Sequence, residues 1–383
     1  MRIAHVANTD YFCAFLLRGQ LRAARCEGHS VDVVCGSGPL LQELRDEGFA
    51  VHVVENSRLM DPVADLRTLR DYVGLFRRER YDVVHTHNPK VNALAALAAR
   101  IAKVPRIVST VHGLYSHERQ RPTVRRVWRA FEAVSARLAD LVLCQSAEDV
   151  RTARWRRIVP DGRLRRLGNG VDLARFCPER FDAEDRAALR RRLGVRPGEK
   201  VVGFVGRLVR EKGVLELLSA VGARRGLKLW LIGPDERGSK RDALEPGALT
   251  AVENVSWLGL QREMPPLYAA MDVLALPSYR EGFPRTLLEA SAMERPVVAT
   301  AIRGCREAVS SRETGLLVPP ARPADLRSAL DALLGDPARR RALGRAARLR
   351  ARALFDERAV FDRIALAYRE LALPEGAIPS PSA

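Results

Sequence analysis

The sequence holds 383 residues, 47% apolar and 29% charged, enough for two domains that each bury a core of their own. No stretch approaches the roughly 18 uncharged apolar residues of a membrane span, and the most apolar helical segment, Asn92–Val104, is interrupted by Arg100 and Lys103. A formal net charge of +18 favours a phosphate-rich partner (nucleic acid, an anionic membrane or a phosphorylated small molecule), beside the plainer reading of solvated arginine-rich helix faces.

In chain order, the first residues run straight into a strand, Arg2–Val6, without the tripartite form of a signal peptide. Further strands are predicted at Val31–Cys35, Val51–Val54, Asp82–His85, Arg106–Val111 and Leu141–Cys144. Helical patterns fall between them near Phe15–Glu27, Pro39–Glu47, Val63–Glu79, Asn92–Val104 and Val124–Leu138. Strand and helix in alternation predict a parallel sheet covered on both faces, with right-handed crossovers.

The pattern pauses near Phe176-Cys177-Pro178, and a charged stretch, Glu179–Arg192, leads to its return. Strands are then expected at Val201–Val205, Lys228–Ile232, Val255–Leu258, Val273–Leu276, Val297–Ala299 and Gly315–Val318. Helices are expected near Val214–Gly222, Arg285–Met293, Asp325–Leu334, Pro337–Ala353 and Glu357–Leu371. The fold class is therefore α/β, with two Rossmann-like, doubly wound parallel-sheet domains facing across a cleft. The expected division is an N-terminal domain over 1–178, a second domain over 179–355, a helix over 356–373 returning to the first domain, and a disordered tail over 374–383. Six cysteines (Cys13, Cys26, Cys35, Cys144, Cys177 and Cys305) lack Cys-x-x-Cys spacing, which argues against a zinc site or disulfide framework and predicts a reducing cytoplasm.

In open α/β sheets, chemistry gathers beyond the carboxyl ends of the strands. After Val273–Leu276 come Glu281, Gly282, Phe283 and then Pro284, at which a helix is expected to begin. The backbone N–H groups of Arg285 and Thr286 and the helix dipole make a phosphate site there, with Glu281 before the helix and Glu289 within it. Alone, two such acids read as a helix cap and a solvated side chain. After Val201–Val205 comes Gly206-Arg207-Leu208, followed by Lys212-Gly213. Arg207 can hold a phosphate through two parallel bonds and Lys212 adds a compact charge. Gly168-Asn169-Gly170 is a turn signal at the domain junction. Thr110-Val111-His112-Gly113 ends a first-domain strand, and His85-Thr86-His87 ends the strand before it. As a metal site the latter pair lacks a third ligand at a recognised spacing.

Together these motifs resemble the retaining glycosyltransferases of family 4, which have the GT-B fold. The resemblance runs over nearly the whole chain and is densest in Arg207…Lys212, Glu281-x7-Glu289 and Thr314-Gly315-Leu316-Leu317-Val318. It implies that Glu289 holds the ribose of a nucleotide-sugar donor and that Arg207 and Lys212 hold its diphosphate. Glu281 and Gly282-Phe283 would lie beside the transferred sugar, Leu260 and Gln261 would border the base, and His112 would approach from the first domain. Glu281, His112, Arg207 and Lys212 are the expected catalytic group. Positive charge on Arg207 and Lys212 does what a divalent cation does elsewhere, so neither a metal nor a cofactor is expected. The expected reaction moves a hexosyl or N-acetylhexosaminyl group from a UDP-linked donor, with retention at the anomeric carbon.

Many relatives carry a Gly-Gly loop after the first strand; here it reads Ala7-Asn8-Thr9-Asp10-Tyr11-Phe12. That departure implies an adapted acceptor site, with Asp10, His87 and Lys90 as its polar contacts. The first domain looks similar to transferases that extend polyprenyl-diphosphate-linked sugars in bacterial surface-polysaccharide assembly, so a lipid-linked saccharide is the expected acceptor. Arg119, Arg121, Arg125, Arg126 and Arg129 accompany Val124, Val127, Trp128 and Phe131 at helical spacing. The Arg119–Phe131 region is thus expected to lie on an anionic membrane, as a peripheral contact on its cytoplasmic face, or else to pack its apolar stripe on its own sheet. No RNA-recognition or zinc-finger signature supports nucleic acid. An oxidoreductase is opposed by the lack of Gly-x-Gly-x-x-Gly after the first strand. A sugar-nucleotide isomerase of the same architecture and a non-enzymatic basic binding protein are the remaining alternatives.

Overall fold

The computed structural model describes residues 1–56, 61–117, 120–237 and 242–372. The expected 374–383 tail and Arg119 lie outside the described residues. The chain forms two compact units, one of Met1–Gly168 with the segment from Val360 onward, the other of Asn169–Ala359. The chain changes unit ten residues before the expected boundary at 178. Backbone bonds explain the shift: Val171 N donates to Phe355 O at 2.8 Å and Glu357 N donates to Val171 O at 3.2 Å, tying the junction to the second unit.

The first unit carries seven strands: β1 (Arg2–Val6), β2 (Ser30–Cys35), β3 (Ala50–Val53), β4 (Val83–His87), β5 (Arg106–Val111), β6 (Leu141–Cys144) and β7 (Leu164–Arg166). They lie in the order β3-β2-β1-β4-β5-β6-β7, every pair parallel. β4 is buried along its whole length, as expected for a central strand covered on both faces. Register sets His5 opposite His85 and His87 opposite Thr110. Strand alternation then brings these four side chains to one face. On that face the helix Glu357–Ala372 packs Val360, Ile364, Ala367 and Tyr368 against Ile3, Val83, Val108 and Leu141.

Three local features differ from the sequence reading. The first helix opens earlier, as a wide π-helical turn over Phe12–Leu17 that continues as the α-helix Arg18–Cys26. β4 runs two residues further than expected, to His87, because its histidines pair into the ladder with β5. A helix at Ala147–Trp155 and the strand β7 complete the sheet beyond β6. The Ser146 side chain starts that helix by accepting from the N–H of Glu148 and of Asp149, a short signal within a charged stretch.

The second unit holds β8 (Lys200–Val205), β9 (Leu227–Ile232), β10 (Val255–Trp257), β11 (Val273–Leu276), β12 (Val297–Thr300) and β13 (Gly315–Val318). Their order is β10-β9-β8-β11-β12-β13, also all parallel. One core runs through this unit, from Trp230 and Leu274 in the sheet to Leu288 and Leu330 in the covering helices. β8 and β11 are neighbours, yet the chain leaves them in opposite directions across the sheet. That is the switch point at which open α/β sheets hold their ligands.

Candidate active site

The loops after β8 and β11 meet at this switch point. The first passes Gly206 and Arg207 into a short 3-10 turn, Arg210–Lys212, before the helix Val214–Val221. The second passes Ser278 and Glu281 into the helix Arg285–Ala292. They are laced together by Tyr279 N donating to Glu211 O at 2.9 Å and by the Tyr279 hydroxyl donating to Glu216 Oε1 at 2.6 Å. Gly213, at φ +70°, lets the first loop lie directly on the second. A Cβ there would stand 2.1 Å from the carbonyl oxygen of Pro277.

This close approach puts Lys212 beside Glu281. Lys212 Nζ donates to Glu281 Oε1 at 2.6 Å, and the Ser278 hydroxyl donates to the same oxygen at 2.6 Å. Both side chains are nearly buried, 15% and 9% exposed. Glu281 Oε2 has no hydrogen-bond partner among the described residues. Arg207 lies alongside, 28% exposed, its Nη2 3.9 Å from Glu211 Oε2. Arg280 donates to Glu211 at 2.6 Å. Burial alone would raise the Glu211 carboxyl, but Arg280, Lys212 and Arg207 hold it below the usual carboxylate range. Arg207 thus keeps an anchored acid at one side and its donors unsaturated by close contact.

Glu289 stands one turn into the Arg285–Ala292 helix. Its Oε2 accepts from the Tyr268 hydroxyl at 2.8 Å, and Arg285 Nε lies 3.6 Å from its Oε1. Burial pushes this carboxyl above its usual value, against the opposing pull of Arg285 and the Tyr268 hydroxyl. Arg285 also donates to Glu357 Oε2 at 2.9 Å, so its guanidinium is occupied by carboxylates. What Arg285 and Thr286 present at the helix start is backbone N–H, together with the positive end of the dipole. Pro284 has ψ 113° and precedes the helix as its cap, so the helix begins at Arg285, one position later than expected.

Phe283 turns inward. Its ring is 5% exposed and meets Phe355 edge-on at 5.7 Å, so only its backbone is available to a ligand, a correction to its expected place beside the sugar. Its carbonyl accepts from Asn169 Nδ2 at 2.8 Å. Asn169, read from sequence as part of a turn, therefore braces the Glu281 loop. No sequence signal separates that duty from an ordinary Gly-Asn-Gly turn. Gly304, at φ +78°, is a second brace that spacing did not reveal; a Cβ there would sit 2.0 Å from Gly282 O. Leu260 is 40% exposed, and the Gln261 side-chain amide donates to Leu258 O.

In the first unit, His112 follows the end of β5. Burial lowers it to about 4, although a hydrogen bond with Gln145 pulls the other way. Three residues expected to meet an acceptor have other partners. Asp10 accepts from the backbone N–H of Tyr11 at 2.7 Å and of Leu40 at 3.0 Å, closing the loop after β1. Lys90 forms an ion pair with Asp65. His87 is wholly buried between His5 and His112, so its expected contact with an acceptor is corrected to an internal one. The third imidazole near His85 and His87 comes from β1, 80 residues away in sequence, which is why local spacing did not show it.

The two parallel sheets of seven and six strands, with this site at the switch point of the second, define the GT-B architecture. Family comparison agrees in both halves. The description "Glycosyltransferase Family 4" matches residues 16–175 and "Glycosyl transferases group 1" matches residues 199–336. The chain belongs to the family 4, group 1 glycosyltransferases. It is 30% identical over 303 residues, 76% of each chain, to the UDP-Gal:alpha-D-GlcNAc-diphosphoundecaprenol alpha-1,3-galactosyltransferase of Escherichia coli. It is 25% identical to the capsular polysaccharide biosynthesis glycosyltransferase CapM of Staphylococcus aureus, over 92% of this chain and 93% of that one. Among solved structures, Anabaena HepE in complex with UDP and glucose superposes with a TM-score of 0.80. That match has 23% identity and covers 97% of this chain and 100% of HepE.

Proposed function

We propose that this glycosyltransferase is retaining and metal-independent. It moves a hexosyl or N-acetylhexosaminyl group from a UDP-sugar to a hydroxyl of a lipid-linked saccharide, at the cytoplasmic face of a membrane. The observation that carries the donor side is the Lys212–Glu281 pair beside Arg207 at the sheet's switch point. Cleavage of the sugar–phosphate bond leaves negative charge on the departing diphosphate. Arg207, Lys212 and the N–H groups of Arg285 and Thr286 offset that charge as it develops, in place of a cation. Glu281 Oε2 accepts from hydroxyls of the transferred sugar, and Glu289 from those of the ribose. Leu260 and Gln261 border the base, and His112 acts on the transferred sugar.

In this reading neither glutamate acts as a nucleophile. Glu281 Oε1 is taken up by the Lys212 ammonium and the Ser278 hydroxyl, and Glu289 Oε2 by the Tyr268 hydroxyl. The acceptor hydroxyl then attacks on the face from which the diphosphate leaves and passes its proton to that departing diphosphate, which keeps the anomeric configuration. Support for a lipid-linked acceptor is the diphosphoundecaprenol named for the Escherichia coli relative. Support for a membrane face is the helix Pro122–Leu138. Only Ser135 and Ala136 are buried in it, while Val124, Val127 and Val134 are 43%, 69% and 59% exposed beside Arg125, Arg126 and Arg129. Among the described residues no helix is long and apolar enough to cross a membrane.

A thermal-shift panel of UDP-, GDP- and ADP-sugars without added metal tests the donor assignment. UDP-sugars should stabilise the protein in the presence of a chelator. Stabilisation by GDP-sugars alone, or only with a divalent cation, would overturn it.

A further inference from the structure

Four of the chain's seven histidines form one buried chain of hydrogen bonds in the first unit. Thr110 Oγ1 meets His85 Nε2 at 2.7 Å, and His85 Nδ1 meets the Tyr368 hydroxyl at 2.6 Å. The same hydroxyl meets His5 Nε2 at 3.3 Å. His5 Nδ1 meets His87 Nε2 at 3.2 Å, and His87 Nδ1 meets His112 Nε2 at 3.2 Å. His85, His5 and His87 are each entered through Nε2 and left through Nδ1, and His112 is entered through Nε2. His5, His85 and His87 are 0% exposed, and burial holds all four rings below the usual imidazole range. A neutral imidazole has one donor and one acceptor. The protons along such a chain therefore point one way, all rings Nδ1–H or all rings Nε2–H, unless the Tyr368 hydroxyl accepts from both His85 and His5, which would leave its own buried proton without a histidine partner.

The two ends choose between them. Among the described residues the Thr110 hydroxyl has His85 as its one hydrogen-bond partner. If His85 donated to it, the buried hydroxyl proton would be left unpaired, at a cost of about 1–3 kcal/mol. Thr110 therefore donates to His85 Nε2, and His85 must carry its proton on Nδ1. Tyr368 accepts that proton's bond and donates its single proton to His5 Nε2, while the Gln20 side chain beside the same oxygen favours an accepting role there. The order then passes through His5 and His87 to His112. At the far end, the His112 bond to Gln145 is of the kind that favours a proton on the ring, which agrees with donation outward.

We propose that Thr110, His85, Tyr368, His5 and His87 are a one-directional relay that fixes His112 as its neutral Nδ1–H tautomer, and so positions the ring. Tyr368 and His5 are positioning residues in this scheme, contributed by the last helix and the first strand. The consequence for His112 rests on the proposed transfer reaction; the tautomer order does not. An alternative use of the same groups is a cation held by His5, His85 and His87, whose nitrogens all lie within 4.8 Å of one another. In the relay those nitrogens are already engaged with each other and with hydroxyls.

The test is a long-range 1H–15N spectrum of the full chain with 15N-histidine, alongside metal analysis of the same sample. The proposal expects His5, His85, His87 and His112 all as neutral Nδ1–H forms, with no stoichiometric metal. Nε2–H or mixed forms in these four, or a bound transition metal, would overturn it. Tyr368→Phe removes one hydroxyl and should give mixed tautomers at His5, His87 and His112. It should also lower kcat at least about tenfold while donor KM stays within about twofold. Unchanged spectra in a folded Tyr368→Phe variant would also overturn it. An inactive wild type with the expected spectrum would instead count against the transfer reading alone.

Discussion

Lys212 and Glu281 are 15% and 9% exposed and share one short contact, so each charge depends on the other. Removing one partner of a buried pair costs about 3–5 kcal/mol, chiefly because the other is left uncompensated. Lys212→Met should therefore lower the melting temperature and abolish transfer. Adding Glu281→Leu should restore much of the stability while transfer stays lost by at least about a hundredfold. A double variant that regains turnover would mean that the pair is structural. The residue types and their places after two strands were legible in the sequence. Their direct pairing was not, since it spans 69 positions and depends on the loop contact that Gly213 permits. Phe283 shows the converse: its motif marks the loop, but burial against Phe355 follows from packing that no local pattern encodes.

Among elements, β1, β5, β6, β11 and β13 were legible to the residue because short, largely apolar runs containing β-branched residues alternate with helical patterns. The Ala147–Trp155 helix and β7 were not. Their charged, short segments take their conformation from the sheet edge they complete. The Pro122–Leu138 helix was legible as an amphipathic element, and its two readings differ in where the apolar stripe lies. With Val127 69% exposed, the stripe does not all pack inward. Sedimentation with anionic vesicles should thus fall steeply with salt, and Arg125→Glu with Arg126→Glu should abolish it, each basic residue near the surface being worth about 1 kcal/mol. Salt-insensitive or unchanged binding would remove the membrane role from this helix.

Across the whole molecule, the buried histidines tie folding to pH. Burial lowers His5 to about 3 and His112 to about 4, and carries His85 and His87 well below the ordinary value of 6.5. Below 6.5 the unfolded chain binds protons that the folded chain refuses, so stability falls as pH falls. The contribution is fully present above about 6.5 and is lost progressively toward the folded values, at up to about 1.4 kcal/mol per pH unit for each ring. Melting temperature should be level near pH 7–8 and drop steeply below 6.5, with a shallower slope in His5→Gln. Equal slopes in the two proteins would contradict this. The tandem α/β design was legible from alternation, whereas this cluster was hidden because β1, β4 and β5 each supply only one or two of its members.

The division of labour between the two glutamates is the centre of the account, and calorimetric titration with UDP and with a UDP-sugar tests it most directly. Glu289→Gln should weaken both ligands alike, because the ribose is common to them. Glu281→Gln should leave UDP affinity within a fewfold of the wild type and abolish the extra affinity for the sugar-bearing ligand. Wild-type binding of both ligands by either variant, or a selective loss of the sugar in Glu289→Gln, would contradict the assignment.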